Sequence, residues 1–321
     1  MKYIKKLRVL LMVWGSSLAV YGQVATLNTS QRWLLLTEQS QHRLLVVDVD
    51  NGKEVWEWKP EASNVKPEHV KWFSNPSDAK VVYNGEYVIT CASGGGIALI
   101  RVKDKKTVFY AYAGGNTHSV EVLPDGNLVS ASSTGNYLSV FSIDTLRFPD
   151  HVYRKDLFIP SGHNVVWDRT QHLLWSAGMN TLYAYQYNFN RATPQLRQID
   201  SLMFSSTRTE AHDLFPLKGV DKLWLTDLTN VYIFETHSRA LQKVSGPAHV
   251  KSVSSRKEDN EVAISHPKQS WWTDEIQDLN GKRIYQKEGL KIYKARWCVL
   301  NSFSYPPNHS LKYTSLPISK P

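Results

Sequence analysis

Residues 117–144 read THSVEVLPDGNLVSASSTGNYLSVFSID, and this stretch decides the fold. Apolar and polar residues alternate in three short runs, which begin at Thr117, Leu128 and Tyr137. Turn-forming segments separate the runs, PDGN at 124–127 and TGN at 134–136. Alternation with a period of two between such turns is typical of antiparallel strands joined by hairpins. The stretch therefore predicts three consecutive strands of one sheet.

The same pattern recurs along the whole chain, and each copy opens on a basic residue or a histidine. Six opening positions align: His69, His118, His163, His212, Lys251 and Arg296. Their spacings are 49, 45, 49, 39 and 45 residues. Four-stranded propeller blades recur at about 40–50 residues, whereas solenoid repeats of that length carry a helical period that this sequence lacks. The sequence therefore predicts an all-β, six-bladed β-propeller.

The two ends of the chain should complete one blade together. Residues 33–37, 43–49 and 55–58 resemble the outer three strands of a blade that lacks its inner strand. Residues 296–303 resemble an inner strand that only a proline-rich tail follows. Joining them closes the ring and leaves short, protected sheet edges. We therefore expect a propeller over 23–305, closed by the C-terminal strand, and a tail over 306–321.

The first 22 residues have the features of a secretory signal peptide. Four basic residues, Lys2, Lys5, Lys6 and Arg8, precede an apolar core at 9–20, and Gly22 before Gln23 gives a cleavage point. The apolar core is too short to span a membrane, and the alternative is a buried first strand. We expect a periplasmic or secreted protein, monomeric and without a membrane span.

Charge and cysteine content narrow the choice of partners. Removing the signal lowers the net charge from +9 to +5 and leaves no long basic run, so nucleic acid is not an expected partner. Cys91 and Cys298 both lie in strand patterns. In an oxidising compartment they could form a bridge, but two buried thiols are the favoured interpretation.

Two segments resemble known propeller repeats. NGKEVWEWKP at 51–60 is similar to the repeat of quinoprotein-type propellers, and LPDGNLVSAS at 123–132 resembles arylsulfotransferase-like propellers. The overall resemblance is to secreted propeller proteins of Bacteroidetes. It implies a propeller and no specific activity, because the quinone-binding and sulfate-transfer residues of those families have no match here.

The inner strands of a propeller line its axial channel, so the residues that open them should meet at one mouth. The predicted ligand-binding ring is His69, His118, His163, His212, Lys251 and Arg296. The turns between second and third strands should surround it with Gln41, Ser93, Asn136, Asn180, Asn230, Trp271 and Trp272. Neighbouring side chains of a strand point to opposite faces, so at least one of the two tryptophans should be exposed. The alternative is a polar residue merely tolerated where a strand begins near solvent.

Such a ring favours two classes of function. The first is non-catalytic binding of an acidic glycan or another anionic ligand by a cationic mouth, with Trp271 and Trp272 as the stacking surface. The second is a polysaccharide lyase, in which a base removes a proton beside a neutralised carboxylate. Its candidate catalytic residues are His118, His163, His212 and Arg296.

The three histidines 118, 163 and 212 could also bind Zn²⁺ or Mn²⁺, since neutral imidazole is a ligand for transition metals. Glycoside hydrolysis by two carboxylates is less favoured, because Glu68, Glu210 and Asp213 lie outside the predicted ring. The sequence has no nucleophile elbow, metalloprotease motif or phosphate-binding loop.

Overall fold

The structure is a computed structural model that describes residues 24–27, 30–207, 209–257 and 260–312. Its strands form six antiparallel sheets of four strands each, arranged as the blades of a propeller. Blade one contains β1 (Trp33–Glu38), β2 (Arg43–Asp48), β3 (Glu54–Trp58) and the last strand of the chain, β24 (Ile292–Trp297). Blade two contains β4 (Pro76–Val82), β5 (Tyr87–Ala92), β6 (Gly96–Arg101) and β7 (Thr107–Tyr112).

The remaining four blades follow in chain order. Blade three contains β8 (Thr117–Val122), β9 (Leu128–Ser132), β10 (Tyr137–Phe141) and β11 (Arg154–Phe158). Blade four contains β12 (Gly162–Asp168), β13 (Leu173–Gly178), β14 (Thr181–Tyr187) and β15 (Leu196–Met203). Blade five contains β16 (Asp213–Pro216), β17 (Lys222–Thr226), β18 (Val231–Glu235) and β19 (Leu241–Val244). Blade six contains β20 (Ser252–Lys257), β21 (Asn260–Ser265), β22 (Glu275–Gln277) and β23 (Arg283–Gln286).

The ring closes through blade one, as the sequence predicts. Strand β24 pairs antiparallel with β1, with Trp297 opposite Leu34 and Ala295 opposite Leu36. It is the inner strand of that sheet, and it also packs against the inner strands β20 and β4 of the neighbouring blades. The closing strand covers 292–297 rather than the predicted 296–303, so it begins four residues earlier than the sequence pattern indicates.

Apolar side chains fill the space between neighbouring sheets. Trp56, Trp175, Trp224 and Trp297 are at most 2% exposed. The indole of Trp56 donates to the carbonyl of Val102 at 3.0 Å, which ties blade one to blade two. Burying a large aromatic side chain contributes about 2–3 kcal/mol, so tryptophans in these layers hold adjacent blades together.

Blade two is preceded by an insertion that the repeat pattern does not reveal. Two 3-10 helices, Pro60–Ala62 and Pro67–Phe73, stand before its inner strand, and a third, Tyr83–Gly85, follows it. The insertion crosses the glycine turn at 93–96. A Cβ added to Gly94 would lie 2.6 Å from the Lys71 carbonyl oxygen and 2.8 Å from that of Trp72. These glycines therefore form a tight turn with close backbone packing, and not a phosphate cradle.

The chain after β24 runs across the mouth of the channel opposite to the mouth where the inner strands begin. Phe303 and Tyr305 are buried there, against the apolar layers of blades four and five and of blades two and three respectively. His309 stacks between Tyr83 and Tyr305, at 4.3 and 4.4 Å between ring centroids. Residues 299–312 thus cover this mouth, which leaves the other mouth as the open end of the axis.

Other predictions about the chain stand as follows. Cys91 and Cys298 are both free and buried, which confirms the favoured interpretation of two buried thiols. Within the described residues no helix has the length and apolar character needed to cross a membrane. The predicted signal peptide at 1–22 and the end of the tail lie outside the described residues, so export remains a prediction.

Candidate functional site

The open mouth of the axial channel is a cavity of about 660 Å³, here called the axial cavity. The strands that open each blade and the turns between second and third strands supply its walls. It is lined by Gln39, Asn75, Ser93, Asn116, His118, Ser133, Thr134, Asn136, Pro160, Ser161, His163, Met179, Glu210, His212, Lys251, Trp271 and Tyr293. Of the predicted ring, His118, His163, His212 and Lys251 therefore meet in one cavity, and of the predicted surrounding residues Ser93, Asn136 and Trp271 do.

Register along the inner strands defines the ring as the structure forms it. The six equivalent residues are Ser77, His118, His163, His212, Lys251 and Tyr293. In blades two, three and four this residue sits in a β-bulge, which re-aims a side chain at the end of a strand. All except Ser77 line the axial cavity.

The prediction that His69 opens an inner strand is wrong. His69 lies in the 3-10 helix Pro67–Phe73 of the insertion, and the inner strand of its blade begins at Pro76. Its ring stacks on Trp72 at 3.7 Å between centroids, outside the axial cavity. His69 lies 49 residues before His118, a spacing that fits the blade repeat. The histidine belongs to the insertion, however, and the match in spacing is a coincidence.

The prediction that Arg296 lies at the mouth is also wrong. Tyr293 takes the mouth position of β24, and Arg296 is three residues deeper and 2% exposed. Its guanidinium makes a bidentate pair with Asp213, at 2.6 Å for each bond, and a third bond to Asp78 at 3.2 Å. Lys294 joins the same network through Asp213 at 3.1 Å. These four residues are here called the axial ion network.

The axial ion network forms the floor below the cavity, and its charges cancel. Burial opposes ionisation of Asp78, but the charges of Lys294, Arg296 and Lys80 outweigh it and hold the pKa of Asp78 at about 2. Burial likewise opposes ionisation of Asp213, but Arg296 and Lys294 lower its pKa. Two carboxylates therefore balance two cations, and Arg296 is not available to a ligand.

The three histidines of the ring form a continuous buried row. His118 stacks on His163 at 4.8 Å, and His163 meets His212 edge to face at 5.8 Å between ring centroids. Nδ1 of His163 donates to the Ser161 carbonyl at 2.7 Å, which leaves Nε2 as an acceptor. Nε2 of His212 accepts from the Lys251 ammonium at 2.9 Å. The hydroxyl of Tyr293 lies 3.2 Å from His118 Nδ1.

Burial keeps these imidazoles neutral. It lowers the pKa of His118 well below the usual value, with His163 and Lys294 adding to the effect. It lowers the pKa of His163 to about 4, and burial together with the Lys251 charge lowers that of His212 to about 2. Burial also lowers the pKa of Lys251 to about 8, with Glu210 opposing the effect and Lys294 adding to it. Near neutral pH the cavity therefore presents neutral rings beside one ammonium group.

The charge of the cavity is consequently smaller than the sequence predicts. Among the described residues, Lys251 and Glu210 are the only charged ones in its lining, since the histidines are neutral. Nor does the geometry support the predicted metal centre of His118, His163 and His212. Among the described residues no three His, Cys, Asp or Glu side chains are grouped so that they could hold a metal ion. His118 and His163 stack face to face, and Lys251 occupies Nε2 of His212.

The predicted tryptophan pair divides between two environments. Trp271 lines the cavity and is 52% exposed, and its indole donates to Gln39 Oε1 at 3.0 Å. Trp272 lies outside the lining, with the Lys291 ammonium 5.1 Å from its ring centroid. Gln269 pairs with Trp272, so Trp271 lies in the tight turn beside Ser270, whose φ is 57°, and Trp272 closes that turn. The prediction that at least one is exposed is confirmed.

Sequence reasoning missed Tyr293 and Ser77 as ring members. The signal that could have found them is the small polar residue or lysine that follows each ring residue. These next positions are Asp78, Ser119, Asn164, Asp213, Ser252 and Lys294. Aligning the repeats on this position would have selected Ser77 instead of His69.

Comparisons with known proteins identify the architecture. One family, described as a family of unknown function (DUF6528), has a model that matches residues 15–315. A search of curated proteins finds no match.

Solved structures match in large number, 1294 chains, so the likeness identifies a common fold rather than an activity. One is a protein of unknown function from Bacteroides caccae, at TM-score 0.56 and 13% identity, covering 83% of this chain and 98% of that one. Another is a putative 6-phosphogluconolactonase from Bacteroides uniformis, at TM-score 0.52 and 11% identity, with coverages of 83% and 98%. At these identities the likeness shows the fold alone.

Proposed function

The chain belongs to this family of unknown function, DUF6528, and since membership supplies no activity, we propose from the axial cavity itself that the protein binds a carbohydrate carrying an anionic group. The observation that carries the proposal is the composition of the lining. Among the described residues of the lining, the Lys251 ammonium and the Glu210 carboxylate stand among neutral imidazoles, amides and hydroxyls, beside an exposed indole. Ligand sites combine apolar surface with a few placed polar groups in this way.

Trp271 provides the apolar surface. An indole that is 52% exposed at a cavity wall costs hydrophobic free energy unless something covers it. The hydrogen bond to Gln39 fixes the ring, and the amide of Gln39 in turn donates to the Pro76 carbonyl at 3.1 Å. A flat, fixed aromatic face suits the CH face of a pyranose ring.

Neutral imidazoles and amides suit the hydroxyl groups of a sugar. The Nε2 atom of His163 can accept a hydrogen bond from a hydroxyl, and Asn116 and Asn136 can both donate and accept. A strongly cationic mouth would favour small inorganic anions. This lining favours a polyhydroxylated ligand with one carboxylate or sulfate, which the Lys251 ammonium would contact.

The alternative function is a polysaccharide lyase. The pair of Tyr293 and His118, 3.2 Å apart, lies in the same cavity as Lys251, which supplies the residue types that elimination requires. A general base works best with a pKa near the operating pH. Burial lowers the pKa of His118 well below its usual value and raises that of Tyr293, so neither is matched to neutral pH. Binding without catalysis is therefore the better-supported proposal.

The proposal predicts a preference for acidic over neutral sugars that depends on Lys251. We expect a uronate-containing oligosaccharide to bind the full chain at least tenfold more tightly than its neutral counterpart, because hydrogen bonds to charged groups contribute about 1.5–3 kcal/mol. Lys251→Met should remove this preference. Titration calorimetry with both oligosaccharides measures it.

The matched control is Lys257→Met. Lys257 ends the strand β20 that directly follows Lys251, and its side chain is 70% exposed. It should leave both affinities unchanged. The proposal is wrong if no uronate oligosaccharide binds, or if Lys251→Met and Lys257→Met give the same preference as the wild type.

A further inference from the structure

Lys251 differs from an ordinary surface lysine in what surrounds its amine. Within the described part of the chain no carboxylate lies at ion-pairing distance from Nζ, and its hydrogen-bond partner is the neutral ring of His212 at 2.9 Å. The other titratable groups described around this pair are Glu210, His118, His163, His249 and Lys294. The amine lines the axial cavity, so a ligand can reach it.

These surroundings make the amine a nucleophile near neutral pH. Because the pKa of Lys251 is lowered to about 8, roughly a quarter of the amines are uncharged at pH 7.5. An ordinary lysine with a pKa near 10.4 is uncharged in about one molecule in a thousand. Desolvated lysines of this kind attack carbonyl groups to form Schiff bases. Nε2 of the neutral His212 ring accepts a hydrogen bond from the amine and so orients it.

We propose that Lys251 forms a reversible imine with the carbonyl carbon of an open-chain acidic sugar or oxo acid bound in the axial cavity. The Nζ lone pair attacks the carbonyl carbon, and one amine proton moves to the carbonyl oxygen to give a carbinolamine. The second amine proton leaves with that oxygen as water, and the C=N bond remains. Hydrolysis reverses the step, and no oxidant or cofactor is consumed.

This inference rests on the proposed function, because it assigns the carbonyl as well as the anionic group to the same ligand. The protonated imine keeps a positive charge at Nζ. It can therefore still pair with the carboxylate of the ligand while the sugar hydroxyls face the histidine row. The substrate class is then a reducing acidic sugar, whose ring opens to expose an aldehyde or ketone.

The test traps the imine in the full chain. We would incubate the protein with glyoxylate, which carries an aldehyde and a carboxylate, at pH 7.5 with sodium cyanoborohydride, and map the modified lysines by peptide mass spectrometry. Lys251 should be modified at least tenfold faster than Lys257, although the Lys257 side chain is 70% exposed. This preference should disappear in urea at about 8 M, because the unfolded chain gives both lysines the same surroundings. Equal or slower modification of Lys251 in the folded protein would overturn the inference.

Lys251→Arg and a locked ligand separate this inference from the proposed function. Arginine keeps the positive charge but forms no imine under these conditions, so the variant should lose the adduct at position 251. The methyl glycoside of glucuronate cannot open to a carbonyl. If it binds while glyoxylate does not mark Lys251, the proposed function stands and the imine is refuted. If glyoxylate marks Lys251 while no uronate glycoside binds, the carbohydrate proposal fails and the reactive amine stands.

Discussion

At pH 5 the free energy of unfolding should be lower than at pH 7.5 by at least about 4 kcal/mol, because buried histidines, His163 and His212 among them, stay neutral in the folded state. In the unfolded chain each histidine has a pKa near 6.5 and takes up a proton below it. In the folded protein burial lowers the pKa of His163 to about 4 and of His212 to about 2, and that of His118 also lies well below 6.5.

The sign follows from proton binding. Above about pH 6.5 neither state binds these protons, so the histidines do not affect the balance. Between about pH 6.5 and 4 the unfolded chain binds protons that the folded protein excludes, so stability falls as the pH falls. At pH 5 this amounts to about 2 kcal/mol for each of His163 and His212, a large share of the 5–15 kcal/mol of a typical protein.

Urea unfolding at the two pH values measures the effect. His163→Gln keeps a donor for the Ser161 carbonyl and removes one titrating ring, so it should reduce the pH difference by about 2 kcal/mol. The matched control is His237→Gln, whose side chain is 58% exposed and which should leave the difference unchanged. Equal stability of the wild type at pH 5 and 7.5 would refute the neutral histidine row.

Asp213→Ala should destabilise the protein by about 3–5 kcal/mol at pH 7.5, since it leaves buried charges without partners. The Asp213 carboxylate accepts two bonds from Arg296, one from Lys294 and one from the backbone amide of Val253. Without it, Asp78 alone would face the positive charges of Arg296 and Lys294. The inner strands of blades two, five and one would then lose their common anchor at the axis.

Chemical denaturation compares Asp213→Ala with Asp221→Ala, whose side chain is 51% exposed. The surface change should stay within about 0.5 kcal/mol of the wild type. Because the folded-state pKa values of Asp78 and Asp213 are lowered, their contribution is complete above about pH 4 and is lost as the pH falls towards 2. The axial ion network would have no stabilising role if both variants unfolded at the same urea concentration.

The fold could be predicted because its determinants are periodic. Alternation, turn residues and blade spacing are local properties of the sequence, and they give the six blades and the closing strand. The errors fall where the repeat is interrupted. The insertion before Pro76 carries His69 by coincidence of spacing, and the apolar run after Arg296 resembles a strand although β24 ends at Trp297.

The sequence predicts most of the residues that meet in the axial cavity, but not their charge. The register brings His118, His163, His212 and Lys251 into one cavity, as the pattern indicates. Their charge could not be read from the pattern, because a pKa depends on burial and on partners from distant parts of the chain. Arg296 illustrates this, since its partners Asp78 and Asp213 come from blades two and five and convert a predicted ligand contact into a structural one.

We propose that the axial cavity is the ligand site, and a crystal structure of the full chain with its tightest-binding uronate oligosaccharide would show whether the ligand lies there. We expect a sugar ring against the face of Trp271 and a carboxylate within hydrogen-bonding distance of Lys251 Nζ. The opposite face has a second cavity, of about 210 Å³, lined in part by Trp167, His172 and Phe189. A ligand bound there, or anywhere outside the axial cavity, would show that the axial cavity is not the ligand site.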